Sequence, residues 1–180
     1  FVYTINQDSR GYIWFGTGEG LCRFNGTEFL TDIRQDSLER EVAGASFRDK
    51  QGTLWFGYYS GNLARYTTKF SLVDPGVEIK SAITGFVQPN ANNLLVSTLG
   101  KGLILVNRST GRGERIAGSE GLLCTSMCLG EYLLLGTPDG LSLYSVELPS
   151  KKISVQLVVV VLVVVSCAPA AASACCTPRL

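Results

Sequence analysis

Histidine is absent from this 180-residue sequence. That removes Ser-His-Asp and Cys-His catalysis from the chain, because both need an imidazole to move the proton. It also removes His-ligated metal hydrolysis. No Gly-x-Ser-x-Gly elbow and no Gly-Lys-Ser/Thr phosphate loop is present. Charge of one sign is missing as well. With 16 basic and 15 acidic residues the net charge is +1, so there is no basic stripe to track a phosphate backbone, and no nucleic-acid partner is expected. Gly16-x-Gly18-x-Gly20 looks like part of a dinucleotide loop, but it joins two strands instead of opening a helix, so it reads as a hairpin turn. No cofactor is expected.

Cysteine is not scarce, but it is poorly placed for chemistry. Three of the six, Cys167, Cys175 and Cys176, sit in an unusual C-terminal tail. Cys22 lies on an apolar strand and reads as a small buried hydrophobe. Cys124 and Cys128 form a C-x3-C pair. Four residues along one extended strand are too far apart for a disulfide, and a zinc site would want further Cys or His at suitable spacing. Core packing is expected, and no metal.

What the sequence does contain is one phrase repeated four times. The first copy runs Asp8-Ser-Arg-Gly11-Tyr-Ile-Trp14-Phe-Gly16-Thr17-Gly-Glu-Gly20-Leu21-Cys-Arg23-Phe24. The second runs from Asp49 through Gly52, Trp55 and Gly57, then Gly61-Asn-Leu63-Ala-Arg65-Tyr66. A looser third covers Asn93 to Val106, and a fourth Gly130 to Tyr144, with Gly136 and Gly140 in the glycine positions. Measured at residues 16, 57, 97 and 136, the steps are 41, 40 and 39 residues. A fixed period of this length marks a repeat architecture.

Each copy encodes a small antiparallel sheet. Asp8-x-x-Gly11 and Asp49-x-x-Gly52 place Asp first and Gly last in a four-residue turn. The Tyr-Ile-Trp-Phe run after the first turn is apolar on both faces, as a strand covered on both sides must be. Asn25-Gly26 is a further hairpin signal. Four strands per repeat, covered on both faces, predict an all-β fold: a β-propeller of about four blades near residues 2–29, 42–70, 82–110 and 123–157. Trp14, Trp55, Leu95 and Leu134 are expected in equivalent slots between blades.

The string Asp-x-x-Gly-x-(Ile/Leu)-Trp-Phe-Gly-Thr-x-x-Gly-Leu-x-Arg-(Phe/Tyr) resembles the two-component regulator propeller repeat. The likeness is closest in the first copy, good from Asp49 to Tyr66, and loose in the later two, where Trp gives way to Leu95 and Leu134. The resemblance implies the extracytoplasmic, periplasmic sensor region of a bacterial hybrid two-component kinase. It implies a small ligand, glycan-derived or an oligosaccharide, and a kinase downstream in the same polypeptide, acting as one chain or as a homodimer. It also implies arrays of seven or more blades, so four blades starting at Phe1 are expected to be a piece of a larger propeller. Without histidine, the kinase phosphoacceptor lies outside these residues. Two other readings stay open: part of a propeller enzyme of the lyase or lactonase type, or a protein–protein scaffold.

From Ile153 onward the only charge is Arg179. The tail of residues 158–180 opens on a valine run and continues in small residues. A membrane span, which needs about 20 apolar residues, a coincidental lipobox-like Val-Val-Ser166-Cys167, and sequence foreign to the protein are the three readings of it.

With strands A to D counted outward from the axis, the B–C turns and the D–A links share one face. The links, Leu30 to Val42, Ser71 to Ala82 and Ile116 to Leu123, are longer and more polar than the repeat, as binding loops on a rigid scaffold are. Glu19, Arg34, Tyr58, Tyr59 and Lys101 are the ligand candidates there, with no catalytic residue among them. The competing reading of Tyr58 and Tyr59 is that they pack between blades.

Overall fold

A computed structural model describes residues 1–30, 38, 40–129, 133–138, 140–147 and 152–159. Sixteen strands are assigned in these residues, and they form four separate four-stranded antiparallel sheets. The first sheet holds β1 (Val2–Gln7), β2 (Ile13–Thr17), β3 (Gly20–Phe24) and β4 (Phe29–Leu30). The second holds β5 (Ala43–Arg48), β6 (Leu54–Tyr58), β7 (Leu63–Tyr66) and β8 (Phe70–Val73). The third holds β9 (Ile83–Val87), β10 (Asn93–Thr98), β11 (Leu103–Asn107) and β12 (Gly113–Arg115). The fourth holds β13 (Ser126–Leu129), β14 (Leu133–Thr137), β15 (Gly140–Glu147) and β16 (Lys152–Val159). Strand order follows the sequence in every sheet. This is the β-propeller blade of the repeat analysis, four times over.

Two boundaries differ from expectation. Ser71 to Val73 continue strand β8, so the second link begins at Asp74. The outer strand of the fourth blade runs on to Val159, two residues into the valine run. Residues 160–180 lie outside the described residues.

The second strand of each blade shows why both of its faces are apolar. In β6, Leu54, Phe56 and Tyr58 point toward blade one and join Trp14 in one buried cluster. Trp55, between them in the alternation, points the other way into a cluster with Ile83, Leu94, Val96 and Ile104 of blade three. In β10, Leu94 and Val96 face blade two while Leu95 packs with Leu133, Leu135 and Tyr144 of blade four. The hydrophobic core is thus a series of slabs between sheets, and burial of apolar surface, worth roughly 25 cal/mol per Å², locks each blade to the next. Trp14, Trp55 and Leu95 occupy the same register position in three successive slabs. Leu134 holds the matching position in blade four, on the face away from blade three, and is half-buried.

The Asp-x-x-Gly turns close as type I turns should, with the Gly11 amide donating to the Asp8 carbonyl at 3.2 Å and Gly52 to Asp49 at 2.9 Å. The carboxylates do more than that. Asp8 Oδ1 accepts the Arg10 and Tyr12 amides at 2.9 and 3.0 Å, and its Oδ2 accepts the Trp14 indole N–H at 2.9 Å. Asp49 repeats the set with Gln51, Thr53 and Trp55 at 3.0, 2.9 and 2.9 Å. The arginine of the motif sits directly across the ladder from the tryptophan, Arg23 opposite Trp14 and Arg65 opposite Trp55. Each guanidinium lies over the indole, at 5.5 and 6.0 Å from the ring centre. Asp, Trp and Arg therefore act as one unit. The carboxylate satisfies the indole N–H that burial would otherwise orphan, and the arginine covers the ring face. Blades three and four lose the unit whole: Leu95 stands opposite Leu105, and Leu134 opposite Leu143.

The glycine after Trp-Phe has a different reason. A Cβ on Gly16 would lie 2.4 Å from the Ala43 carbonyl oxygen of the next blade's innermost strand, and one on Gly57 would lie 2.3 Å from Ile83 Cγ2. Backbone of one blade meets the start of the next at these points, so the contact fixes blade spacing. Gly16→Ala should cost about 1–3 kcal/mol through overpacking, read as a lowered denaturation midpoint. A Gly16→Ala protein as stable as the parent would mean that blades one and two do not meet this closely.

Candidate functional site

The face carrying the B–C turns is organised by a second repeated device. In blade one the Thr17 hydroxyl donates to the Gly20 carbonyl at 2.8 Å and accepts the Glu19 amide at 3.1 Å. In blade three Thr98 does the same toward Gly102 and Lys101, at 2.7 and 3.1 Å. In blade four Thr137 donates to Gly140 at 3.1 Å. The motif threonine is a turn clasp, which the sequence reading did not recognise. It leaves Glu19 and Lys101 exposed at the tips of two turns. Arg34 lies outside the described residues.

Blade two departs from the clasp, and the departure builds the site. Tyr58 replaces the threonine and is 2% exposed, within the slab between blades one and two. Its phenol is held well above the usual range, first by burial and then by the nearby Glu41 carboxylate. This corrects the ligand role assigned to Tyr58, because a ring sealed between sheets cannot meet a ligand on this face. The signal was available: Tyr58 keeps the parity of Leu54 and Phe56, so a ligand-free, interblade role follows from the pleat. Tyr59, one residue on, belongs to the turn beyond β6 and is 49% exposed.

Around Tyr59 the chain gathers polar groups. Glu41 accepts the Ser60 hydroxyl at 2.6 Å and the Asn62 amide at 3.1 and 3.2 Å. Ser60 and Asn62 form one wall of a cleft of about 320 Å³, whose other walls are Leu72 to Pro75 and Val77 to Lys80. Glu78 and Lys80 form an ion pair at its rim. Lys80 lowers the Glu78 carboxyl by hydrogen bonding and by its charge, and Lys101 of the next blade adds to the effect. Lys101 stands on the blade-three turn and Glu19 at a separate tip, on blade one. The cleft presents donors, acceptors and apolar surface side by side.

Two cysteine side chains, Cys22 and Cys124, are described. Cys124 is buried, with its thiol pushed up to about 11 by burial, and Cys22 is half-buried and shifted the same way. Among the described residues no group of three His, Cys, Asp or Glu side chains is placed to hold a metal. Of Cys128, only its place on β13 is described. Among the same residues no helix is long and apolar enough to cross a membrane.

Comparison with known proteins adds the following. The family model of the two-component regulator propeller matches residues 1–19. Among solved structures, the chain is similar to the extracellular domain of a hybrid two-component system from B. thetaiotaomicron, with a TM-score of 0.64 and 24% identity over 87% of this chain. The chain spans 24% of the length of that neighbour. It is similar also to the computationally designed Ika8 protein (TM-score 0.62, 13% identity, 87% of this chain and 48% of that one). A third is YCF48 from Cyanidioschyzon merolae (TM-score 0.57, 14% identity, 78% of this chain and 49% of that one). No curated protein matches. At these identities the neighbours establish the fold, and the family match falls on the first Asp-x-x-Gly-x-x-Trp-Phe-Gly-Thr copy: the chain is a β-propeller whose residues 1–19 match the two-component regulator propeller model.

Proposed function

We propose that this chain is part of the ligand-sensing propeller of a bacterial two-component system, facing the periplasm. It binds a small glycan-derived ligand and passes the signal to a kinase in the same polypeptide, acting as one chain or as a pair of protomers. The observation that carries this reading is the two-component regulator repeat at residues 1–19. The likeness in fold to an extracellular domain of such a system agrees with it, although a shared fold does not by itself fix function. The site gives physical support. The cleft beside Asn62 mixes apolar walls with a few convergent polar groups, which is the usual make-up of a small-molecule site. The carboxylates near it are engaged by hydroxyl, amide and ammonium groups, which suits recognition of a neutral, hydroxyl-rich molecule.

In this reading the chain binds its ligand without transforming it. The test is autophosphorylation of the intact protein in membrane vesicles, with oligosaccharides added on the periplasmic side. A change in phosphorylation that depends on oligosaccharide concentration and is lost on deleting residues 41–80 supports the proposal. Turnover of the oligosaccharide by the purified protein would move it to the enzyme class, and a response unaffected by the deletion would place sensing elsewhere.

A further inference from the structure

The innermost strands of the first three blades share an irregularity at the same place. The register of β1 against β2 shifts between Val2 and Thr4, that of β5 against β6 between Ala43 and Ala45, and that of β9 against β10 near Ser97 and Thr98. The extra residues are Tyr3, Gly44 and Thr84, at the end of each strand that borders the B–C turns. Bulges of this kind re-aim a side chain out of the sheet alternation, and they concentrate beside sites. Here the first aims an aromatic ring and the second makes room for another. A Cβ on Gly44 would lie 2.3 Å from Tyr59 Cε1, so only glycine lets the Tyr59 ring lie across the end of β5. The Tyr59 amide donates to the Val42 carbonyl at 3.0 Å, which fixes its backbone beside that strand. The Tyr3 ring then meets Tyr59 at 5.7 Å between centroids, tilted by 54°.

Two large rings in contact would ordinarily be buried. These remain 47% and 49% exposed. Leu99, the counterpart of Tyr59 in blade three, repeats the backbone bond, to Ala82 at 2.9 Å, and is 46% exposed. The result is an apolar rim at the axis end of the face that also carries the Glu41–Ser60–Asn62 cluster, of which Ser60 directly follows Tyr59.

We infer that Tyr3 and Tyr59 form a stacking platform for one sugar ring of the ligand; the inference rests on the glycan-sensing reading above. The negative face of an aromatic ring attracts the polarised C–H groups on the apolar face of a pyranose. Ser60, the residue after Tyr59, and Asn62, three residues on, spend their donors on the Glu41 carboxylate, which leaves the Ser60 hydroxyl oxygen and the Asn62 side-chain carbonyl to accept from sugar hydroxyls at the rim of that ring. The remaining sugars of an oligosaccharide extend outward along blade two into the cleft bounded by Leu72, Pro75 and Lys80. Gly44 is a positioning residue in this scheme, since it acts through Tyr59.

The experiment is calorimetric titration of the intact protein with maltohexaose, cellohexaose, xylohexaose and mannohexaose. It is repeated on Tyr59→Phe, Tyr59→Leu and Tyr3→Ala. Leucine stands at the matching position 99, so Tyr59→Leu preserves a side chain that this turn accommodates. Tyr59→Phe should bind within about threefold of the parent, while Tyr59→Leu and Tyr3→Ala should each lose tenfold or more with an unchanged melting midpoint. A hexasaccharide that binds the parent and all three variants alike overturns the platform and leaves the glycan reading standing. If none of the four binds the parent, the glycan reading fails and the platform with it.

Discussion

Trp55→Ala should produce the largest loss of stability of any single change in the described blades. The indole is 1% exposed and fills the slab between blades two and three. Large-to-small changes of this kind cost about 3–5 kcal/mol, from lost transfer free energy plus the cavity left behind. Three further contacts go with it: the bond to Asp49, the Arg65 guanidinium over the ring, and packing on Ile83 and Leu94. Trp55→Leu separates the causes. It restores apolar volume, as Leu95 does one blade later, but leaves the carboxylate of Asp49 without its indole donor. Chemical denaturation of the intact protein should place Trp55→Leu between the parent and Trp55→Ala. A Trp55→Ala protein within about 1 kcal/mol of the parent would mean that the slab collapses onto the missing ring, and that blades are not locked by this slot.

Much of the fold was legible because a propeller repeats its instructions. The step of about forty residues, the turn residues and the doubly apolar second strand each recur, so an error in reading one copy is corrected by the next. The equivalence of Trp55 and Leu95 is of this sort. What could not be read lies between copies. The bond from Asp8 to Trp14 spans six residues but needs the turn to fold the carboxylate over the ring, so composition shows only a turn aspartate. The pairing of Tyr3 with Tyr59 joins positions in different blades through a bulge that leaves no mark in the sequence. Tyr58 was legible and misread: it keeps the strand parity of Leu54 and Phe56, whereas Tyr59 already belongs to the turn beyond β6. The D–A links are the least repetitive segments, and the first of them, with Arg34, lies largely outside the described residues.

Asp49 and Asp8 hold the same place in the motif, and substituting each by alanine should give unequal results. Both carboxylates are buried, and both accept two backbone amides and one indole N–H. Asp49 has one partner more. Arg108, fifty-nine residues on in blade three, donates through Nε at 2.8 Å and Nη2 at 2.5 Å to Asp49 Oδ2. The arginine side chain is 12% exposed and the aspartate side chain 0%. Its Nη1 also caps the Ala91 carbonyl, and its own carbonyl accepts Arg65 Nη1, both at 2.8 Å. Among the described residues Asp8 has no such cation. Removing one partner of a buried ion pair costs about 3–5 kcal/mol, because the other charge stays desolvated and unpaired. Removing a carboxylate whose donors are all neutral N–H groups costs less, about 1–3 kcal/mol per buried group left unsatisfied. Asp49→Ala should therefore destabilise the protein more than Asp8→Ala. Replacing both partners, as in Asp49→Asn with Arg108→Met, should recover part of the loss, because the pair's own net contribution is small. A double-mutant cycle on positions 49 and 108 reads this directly as a coupling energy. Equal losses for Asp8→Ala and Asp49→Ala, with no coupling, would show that the arginine is a bystander and that the turn-and-indole clamp alone holds blade two.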